Sequence, residues 1–102
     1  MAIIPNAPLH PGVYVKNDID RRGFSQKDLA RLISTSPSTL SEILSAKRPV
    51  TTEYALLFEA ALGISADLLL SMQTAYNKFM VTSNPRFMAK VDKVRGLAGK
   101  AS

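Results

Sequence analysis

The chain has 102 residues, 46% hydrophobic and 21% charged, a composition typical of one small globular domain. The absence of cysteine excludes disulfides and thiolate metal sites, and the single histidine, His10, excludes a paired-histidine mechanism. No apolar run is long enough to span a membrane and no signal-peptide pattern is present, so we expect a soluble, cytoplasmic, non-enzymatic protein without cofactor, metal or small-molecule substrate.

The net charge of +5 is unevenly distributed. Residues 1–82 contain eight basic and seven acidic side chains, whereas residues 83–102 contain five basic side chains against Asp92 alone. Most of the positive charge therefore belongs to a C-terminal tail over residues 83–102. Such a tail either contacts phosphates or merely keeps the protein soluble, and its charge alone does not establish DNA binding.

The N-terminal segment is predicted to be extended before a first helix begins. Three prolines within the first eleven residues disfavour helix and predict an arm over residues 1–10. The first helix is predicted over Pro11–Arg22, because Val15 and Ile19 lie four residues apart and Gly23 is a natural stop. His10, at the start of this helix, is expected to form a turn or a cap and has no catalytic partner.

Two short helices follow. Ser25 is a good N-cap for a second helix that ends near Ser34. Ser36 followed by Pro37 opens a third helix, because proline is tolerated at the first helical position. The third helix ends before Pro49, and its apolar side chains are expected to face inward; they are Leu40, Ile43 and Leu44.

The fourth and fifth helices are apolar on more than one face. Thr51 caps a helix from Thr52 to Leu62, and Ser65 caps another that runs to about Met80. A helix that is apolar beyond its core face needs a second cover, so we expect a homodimer through these helices, with deeper burial within one chain as the alternative. The residues assigned to this dimer interface are Tyr54, Leu57, Ala61, Leu69, Tyr76 and Met80.

Within the tail, Asn84–Pro85 is expected to begin a short sixth helix that frays at Gly96 and Gly99. No segment alternates like a strand, so the fold class is all-α. The predicted organisation is the arm, a DNA-binding and dimerisation domain over residues 11–82, and the basic tail.

Residues 25–45 have the spacing of a helix-turn-helix. Counting from Gln26, the fifth position is the small residue Ala30, which lets two helices cross closely. The fifteenth and eighteenth positions, Leu40 and Ile43, are apolar and anchor the second helix of the motif to the first. All three steric requirements of the motif are met.

The outward face of the third helix is short and polar, and two cations follow it. Small hydroxyl side chains let a helix approach a DNA groove and donate to base edges or phosphates, and long cationic side chains reach the strands. The residues expected at DNA are Gln26, Ser36, Ser38, Thr39, Ser41, Glu42, Ser45, Lys47 and Arg48. Glu42 either accepts from a cytosine amino group or pairs with Lys47 or Arg48.

The segment from Ser25-Gln-Lys-Asp-Leu-Ala to Leu40-Ser-Glu-Ile-Leu-Ser resembles the Xre/Cro-type helix-turn-helix of bacterial and phage repressors. Three flanking segments resemble the HigA (VapI) antitoxin branch more narrowly. They are His10-Pro-Gly-Val-Tyr-Val-Lys, Thr51-Thr-Glu-Tyr-Ala-Leu and Leu62-Gly-Ile-Ser-Ala-Asp. The resemblance covers about residues 9–80. It departs at the turn, where Ser34 replaces the usual glycine and is strained by about 1 kcal/mol if its φ is positive.

This resemblance implies a five-helix, lambda-repressor-like domain and a dimeric antitoxin in the bacterial cytoplasm, associated with the nucleoid when bound to DNA. The implied partners are a palindromic double-stranded operator, at which it represses its own operon, and a HigB/RelE-like mRNA-cleaving toxin. Two alternatives remain open: an Xre-type repressor without a toxin, and a helical protein-interaction module with a vestigial motif.

Overall fold

The computed structural model describes residues 7–101, which form six α-helices and no strand. The prediction of an all-α fold is therefore confirmed. The helices are α1 (Pro11–Arg22), α2 (Gln26–Leu32), α3 (Pro37–Leu44), α4 (Thr52–Leu62), α5 (Ala66–Thr82) and α6 (Pro85–Ala101). Residues 7–10 have no regular structure, and the rest of the predicted arm, residues 1–6, lies outside the described part.

Local hydrogen bonds fix where the helices begin. The side-chain oxygens of Ser25, Ser36, Thr51 and Ser65 each accept the backbone N–H three residues later, at 3.0 to 3.4 Å. Each such cap stabilises its helix by about 1 kcal/mol. The imidazole Nδ1 of His10 accepts the N–H of Gly12 at 2.9 Å, which confirms that His10 caps α1.

The core lies between α1 and α5 and centres on Phe58, which is fully buried. Helix α3 packs against both α1 and α2, and α5 packs against α4 and α1. The inward residues predicted for the first three helices are buried, whereas Leu32, at the end of α2, is 58% exposed. Gly12 lies against the backbone of α3, where a Cβ would stand 1.9 Å from the carbonyl oxygen of Ile43.

Polar contacts between distant parts of the chain hold the helices in register. Arg22 donates to the backbone carbonyl of Leu62 at 2.8 Å and also pairs with the buried Asp18 at 2.8 Å. The Glu59 carboxylate accepts the N–H of Ala66 at 2.8 Å and thereby caps α5 from α4. Arg22, expected on a solvated face, is therefore a link between α1 and the end of α4.

Helix α6 is longer than the sequence suggested and continues through Gly96 and Gly99. It packs mainly against α5, and its side chains before residue 101 are exposed except for the half-buried Met88 and Val91. The radius of gyration of 17.2 Å exceeds the roughly 13 Å of a compact chain of this length, because α6 extends away from the core. Among residues 7–101, no helix is both long and apolar enough to cross a membrane.

Candidate nucleic-acid interface

The turn between α2 and α3 sets the angle of the helix-turn-helix. Ser34 has a φ of 55°, in the left-handed region, as the missing glycine of the motif requires. The N–H of Ser34 donates to the carbonyl of Arg31 at 3.3 Å, and the N–H of Thr35 donates to that of Ala30 at 2.9 Å. This is a Schellman C-cap, and the Thr35 hydroxyl ties it to the phenol of Tyr54 at 2.6 Å.

A second left-handed residue ends α3. Ala46 has a φ of 67°, and its N–H donates to the carbonyl of Ile43 at 3.2 Å. The N–H groups of Lys47 and Arg48 both donate to the carbonyl of Glu42, at 2.8 and 3.2 Å. The chain therefore folds back on α3 and carries the two cations beside its C-terminal end, which the sequence pattern did not indicate.

Replacing either left-handed residue with glycine should stabilise the protein. Ser34→Gly and Ala46→Gly each remove a Cβ penalty of about 1–2 kcal/mol and add chain entropy to the unfolded state, so we expect a net gain of about 0.5–1 kcal/mol. Urea denaturation followed by circular dichroism measures this change. Gly63→Ala is the opposite control, because Gly63 has a φ of 73° in open space and should lose about 1 kcal/mol. A loss of stability in both glycine variants would contradict the assignment of strain.

The N-terminal turn of α3 is a small network of hydroxyl groups. The Ser36 hydroxyl accepts the N–H of Thr39 at 3.1 Å and donates to the Thr39 hydroxyl oxygen at 2.8 Å. The proton of the Thr39 hydroxyl consequently remains available for an external acceptor. Pro37 has no N–H, so the first-turn backbone donor that stays free among the described residues is that of Ser38. Ser36 is thus a cap that orients its neighbours.

Glu42 and Arg48 form an ion pair across the folded-back chain. The hydrogen bond from Arg48 to the Glu42 carboxylate raises the pKa of the guanidinium above its ordinary value. Of the two roles left open for Glu42, the structure shows the pairing with Arg48. Lys47 and Lys27 have no carboxylate within 4.0 Å in the described part of the chain, so they are the uncompensated cations of the helix-turn-helix.

The structure places the residues expected at DNA in one segment, from the start of α2 to just beyond α3. Most of them are exposed and three are half-buried. The exposed ones are Ser36, Ser38, Ser41, Ser45, Lys47 and Arg48, and the half-buried ones are Gln26, Thr39 and Glu42. The surface they form, called the α3 face below, is rich in hydroxyl groups and carries cations at its C-terminal end.

Two buried polar residues that were not predicted to matter for this site support the loop after α3. Gln73 of α5 accepts the N–H of Val50 at 2.7 Å, and its amide donates to Asn77 at 2.9 Å. The His10 ring meets Tyr76 edge-on at 4.8 Å and hydrogen-bonds the backbone of Arg48. A glutamine within an apolar helical stripe was the one available signal, since apolar stripes rarely include an amide without a partner.

The cap formed by His10 should make stability depend on pH. Burial of the ring lowers the pKa of His10 below 6.5, despite the opposing hydrogen bond from Arg48. The unfolded chain therefore binds this proton more readily, and the free energy of unfolding should be lost as the pH falls below about 6.5. His10→Asn keeps a capping acceptor that does not titrate, so urea denaturation at pH 7.5 and 5.5 should show a smaller difference for the variant. Equal differences in both proteins would contradict this role.

Charge is segregated along the described chain. From residue 7 to residue 51 there are seven basic and four acidic side chains, whereas α4 and α5 together contain three acidic residues and only Lys78. The helix-turn-helix half is therefore +3 and the α4–α5 half is −2. A phosphate backbone would be attracted to the first half and repelled by the second.

A model of the helix-turn-helix family HTH_3 matches residues 15–69, more than half of the chain. The chain belongs to the HTH_3 family. Two relatives of this HTH_3 protein agree. The uncharacterized HTH-type transcriptional regulator YddM of Escherichia coli is 30% identical over 67 residues, which cover 66% of this chain and 71% of YddM. Virulence-associated protein I of Dichelobacter nodosus is 34% identical over 70 residues, which cover 68% of this chain and 65% of that protein.

Solved structures share the fold of this HTH_3 protein. An addiction module antidote protein of the HigA family from Coxiella burnetii aligns with a TM-score of 0.71 at 24% identity, covering 84% of this chain and 92% of that one. Antitoxin HigA of Pseudomonas aeruginosa, solved with the higBA promoter, gives 0.69 at 20%, covering 85% and 90%. Antitoxin GraA gives 0.69 at 26%, covering 87% and 91%. The resemblance to Xre-type, HigA and VapI proteins is confirmed.

The residues assigned to a dimer interface in this HTH_3 protein lie in different environments. Leu57 and Met80 are 39% and 51% exposed, and Ala61 is half-buried. Tyr54 and Tyr76 are half-buried and engaged with Thr35 and His10, as described above. Leu69 was wrongly assigned, because α5 turns it into the chain's own core, where it is fully buried and inaccessible to a second subunit.

Within residues 7–101 of this HTH_3 protein, no group of three or more His, Asp or Glu side chains is arranged to hold a metal ion. The acidic side chains instead pair with neighbouring cations or cap helices, as Asp18 and Glu59 do. The α3 face offers hydroxyl donors, free backbone N–H and lysine ammonium groups, which are the groups that bind phosphates and base edges.

Proposed function

We propose that this protein is a DNA-binding antitoxin that reads an operator with the α3 face and represses its own operon as a dimer. The observation that carries this proposal is the hydroxyl network at the start of α3, held by two Schellman caps and followed by the unpaired Lys47. The same fold in the HigA antitoxin solved with its promoter supports the proposal.

The α3 face divides into positioning and reading groups. The Ser38 N–H and the ammonium groups of Lys27 and Lys47 suit phosphate oxygens, which fix the register of the protein on the duplex. The hydroxyls of Thr39, Ser41 and Ser45 are short enough to let α3 approach base edges in the major groove. The pairing of Glu42 with Arg48 reduces the positive charge of the face, which limits binding to arbitrary phosphates.

Fluorescence anisotropy tests this assignment with labelled DNA from immediately upstream of the gene and with a scrambled duplex. We expect about 10³-fold preference for the upstream DNA, falling steeply between about 50 and 200 mM salt. The double variant Ser38→Ala/Thr39→Ala should bind both duplexes alike, because the hydroxyl donors are lost while the Ser36 cap on the Thr39 N–H remains.

The matched control is Ser71→Ala/Thr74→Ala, which removes the same chemistry from an exposed part of α5. Its operator affinity should equal that of the unaltered protein. Unchanged operator affinity in the Ser38/Thr39 variant would contradict base reading by α3. Equal, weak binding of the unaltered protein to both duplexes would contradict the proposal that it reads this site.

We further propose a HigB/RelE-like mRNA-cleaving toxin as the protein partner and no catalytic activity of the chain itself. GraA, which is 26% identical in structure-based alignment, is described as an antitoxin, and this supports the pairing. The relation to YddM, described as a transcriptional regulator, favours the alternative of a repressor without a toxin. A toxin-like reading frame beside the gene, whose product is neutralised in coexpression, would decide for the antitoxin.

A further inference from the structure

Helix α6 has an uncovered apolar stripe on a strongly basic helix. Phe87, Val91, Val94 and Ala98 are spaced four, three and four residues apart and therefore lie on one face. Phe87 is 44% exposed and Val94 is 56% exposed. The helix has five basic residues against Asp92, for a net charge of +4.

Contacts with α5 alone are a weak basis for such a helix. A 17-residue helix is only marginally stable in water, and Gly96 and Gly99 each cost helix stability relative to alanine. Additional burial of the stripe would supply the missing stabilisation, so a further surface is needed to cover it.

The outer face of α4 and α5 complements α6 in polarity and charge. Leu56, Leu57 and Leu68 are 55%, 39% and 43% exposed, so the apolar surface on these two helices is also uncovered. Glu53 and Asp67 are exposed beside them and have no cation within 4.0 Å among the described residues. The pair of helices is −2 where α6 is +4.

We propose that α6 of one molecule packs on the outer face of α4 and α5 of a second copy, and that the second copy returns the same contact. This inference deepens the proposed function, since it names the elements that form its dimer. A two-fold arrangement makes each contact twice and covers both exposed surfaces. Direct pairing of the two α6 helices is disfavoured, because it brings two charges of +4 together.

Sedimentation velocity of the full chain tests the apolar part of the contact. Val94→Lys places a charge in the stripe and should weaken the dimer at least tenfold. Ala89→Lys adds the same charge on the opposite side of α6, where Ala89 is exposed, and should leave the dimer intact. Far-UV circular dichroism of both variants establishes that they remain folded.

Charge reversal tests the electrostatic part. Glu53→Lys/Asp67→Lys should weaken the dimer at least tenfold, and adding Lys90→Glu/Lys93→Glu should restore most of the loss. The unaltered dimer should also weaken between 50 and 500 mM salt, which follows from screening of opposite charges. A dimer that tolerates Val94→Lys, or a chain that is monomeric at every concentration, would overturn this inference.

The same variants separate this inference from the proposed function. If the unaltered chain prefers the upstream DNA and Val94→Lys leaves the dimer intact, the exchange of α6 is wrong and operator reading stands. If Val94→Lys dissociates the dimer and neither protein prefers the upstream DNA, the exchange stands and operator reading fails.

Discussion

Gly12→Ala is expected to lower the free energy of unfolding by about 3 kcal/mol or more, or to prevent folding. A Cβ at this position would lie 1.9 Å from the carbonyl oxygen of Ile43, 2.8 Å from its carbon and 3.0 Å from the ring Nδ1 of His10. The obstacle is backbone and cannot rotate away. Relief requires α1 to move off α3, which uncovers the buried Val15 and removes the support of the α3 face.

Urea denaturation followed by far-UV circular dichroism measures this effect, and Gly96→Ala is its matched control. Both glycines lie within helices, but no atom lies within 4 Å of a Cβ built at Gly96. Alanine should be neutral or should stabilise α6 there by up to about 1 kcal/mol. Stability of Gly12→Ala equal to that of the unaltered protein would contradict the close packing of α1 on α3.

Gln73→Ala should lower the free energy of unfolding by about 2–3 kcal/mol and also weaken DNA binding. Gln73 is 7% exposed, and its side-chain oxygen accepts the N–H of Val50, which leads from the cations after α3 into α4. Without that acceptor the buried N–H of Val50 has no partner, and the loop carrying Lys47 loses its anchor on α5. Denaturation and anisotropy on the same preparation measure the two effects.

Two further variants separate the causes. Gln73→Met preserves most of the side-chain volume, so it should retain the part of the loss that comes from the unpaired N–H of Val50. Asn77→Ala removes only the exposed partner of the Gln73 amide and should cost less than about 1 kcal/mol. A Gln73→Met protein as stable as the original would show that the hydrogen bond to Val50 contributes nothing.

The boundaries of most helices followed from the sequence, because capping is local. Ser25, Ser36, Thr51 and Ser65 each bond an N–H three residues away, so the residue types and their spacing are sufficient to place the helix starts. The hydroxyl surface of α3 was predictable for the same reason, since the buried Leu40 and Ile43 fix which side faces outward. The length of α6 was not, because its glycines argued for fraying and nothing local opposed them.

The support beneath that surface was decided by tertiary structure. Gln73 and Val50 are 23 residues apart, and Arg22 and Leu62 are 40 apart, so no local pattern links them. The role of Glu42 stayed open until the left-handed Ala46 turned the chain back and brought Arg48 beside it. Leu69 was misassigned because period alone does not reveal which apolar side of α5 meets α4. Local hydrogen bonding is encoded by neighbouring residues, whereas the packing of one helix on another depends on the shapes of both surfaces at once.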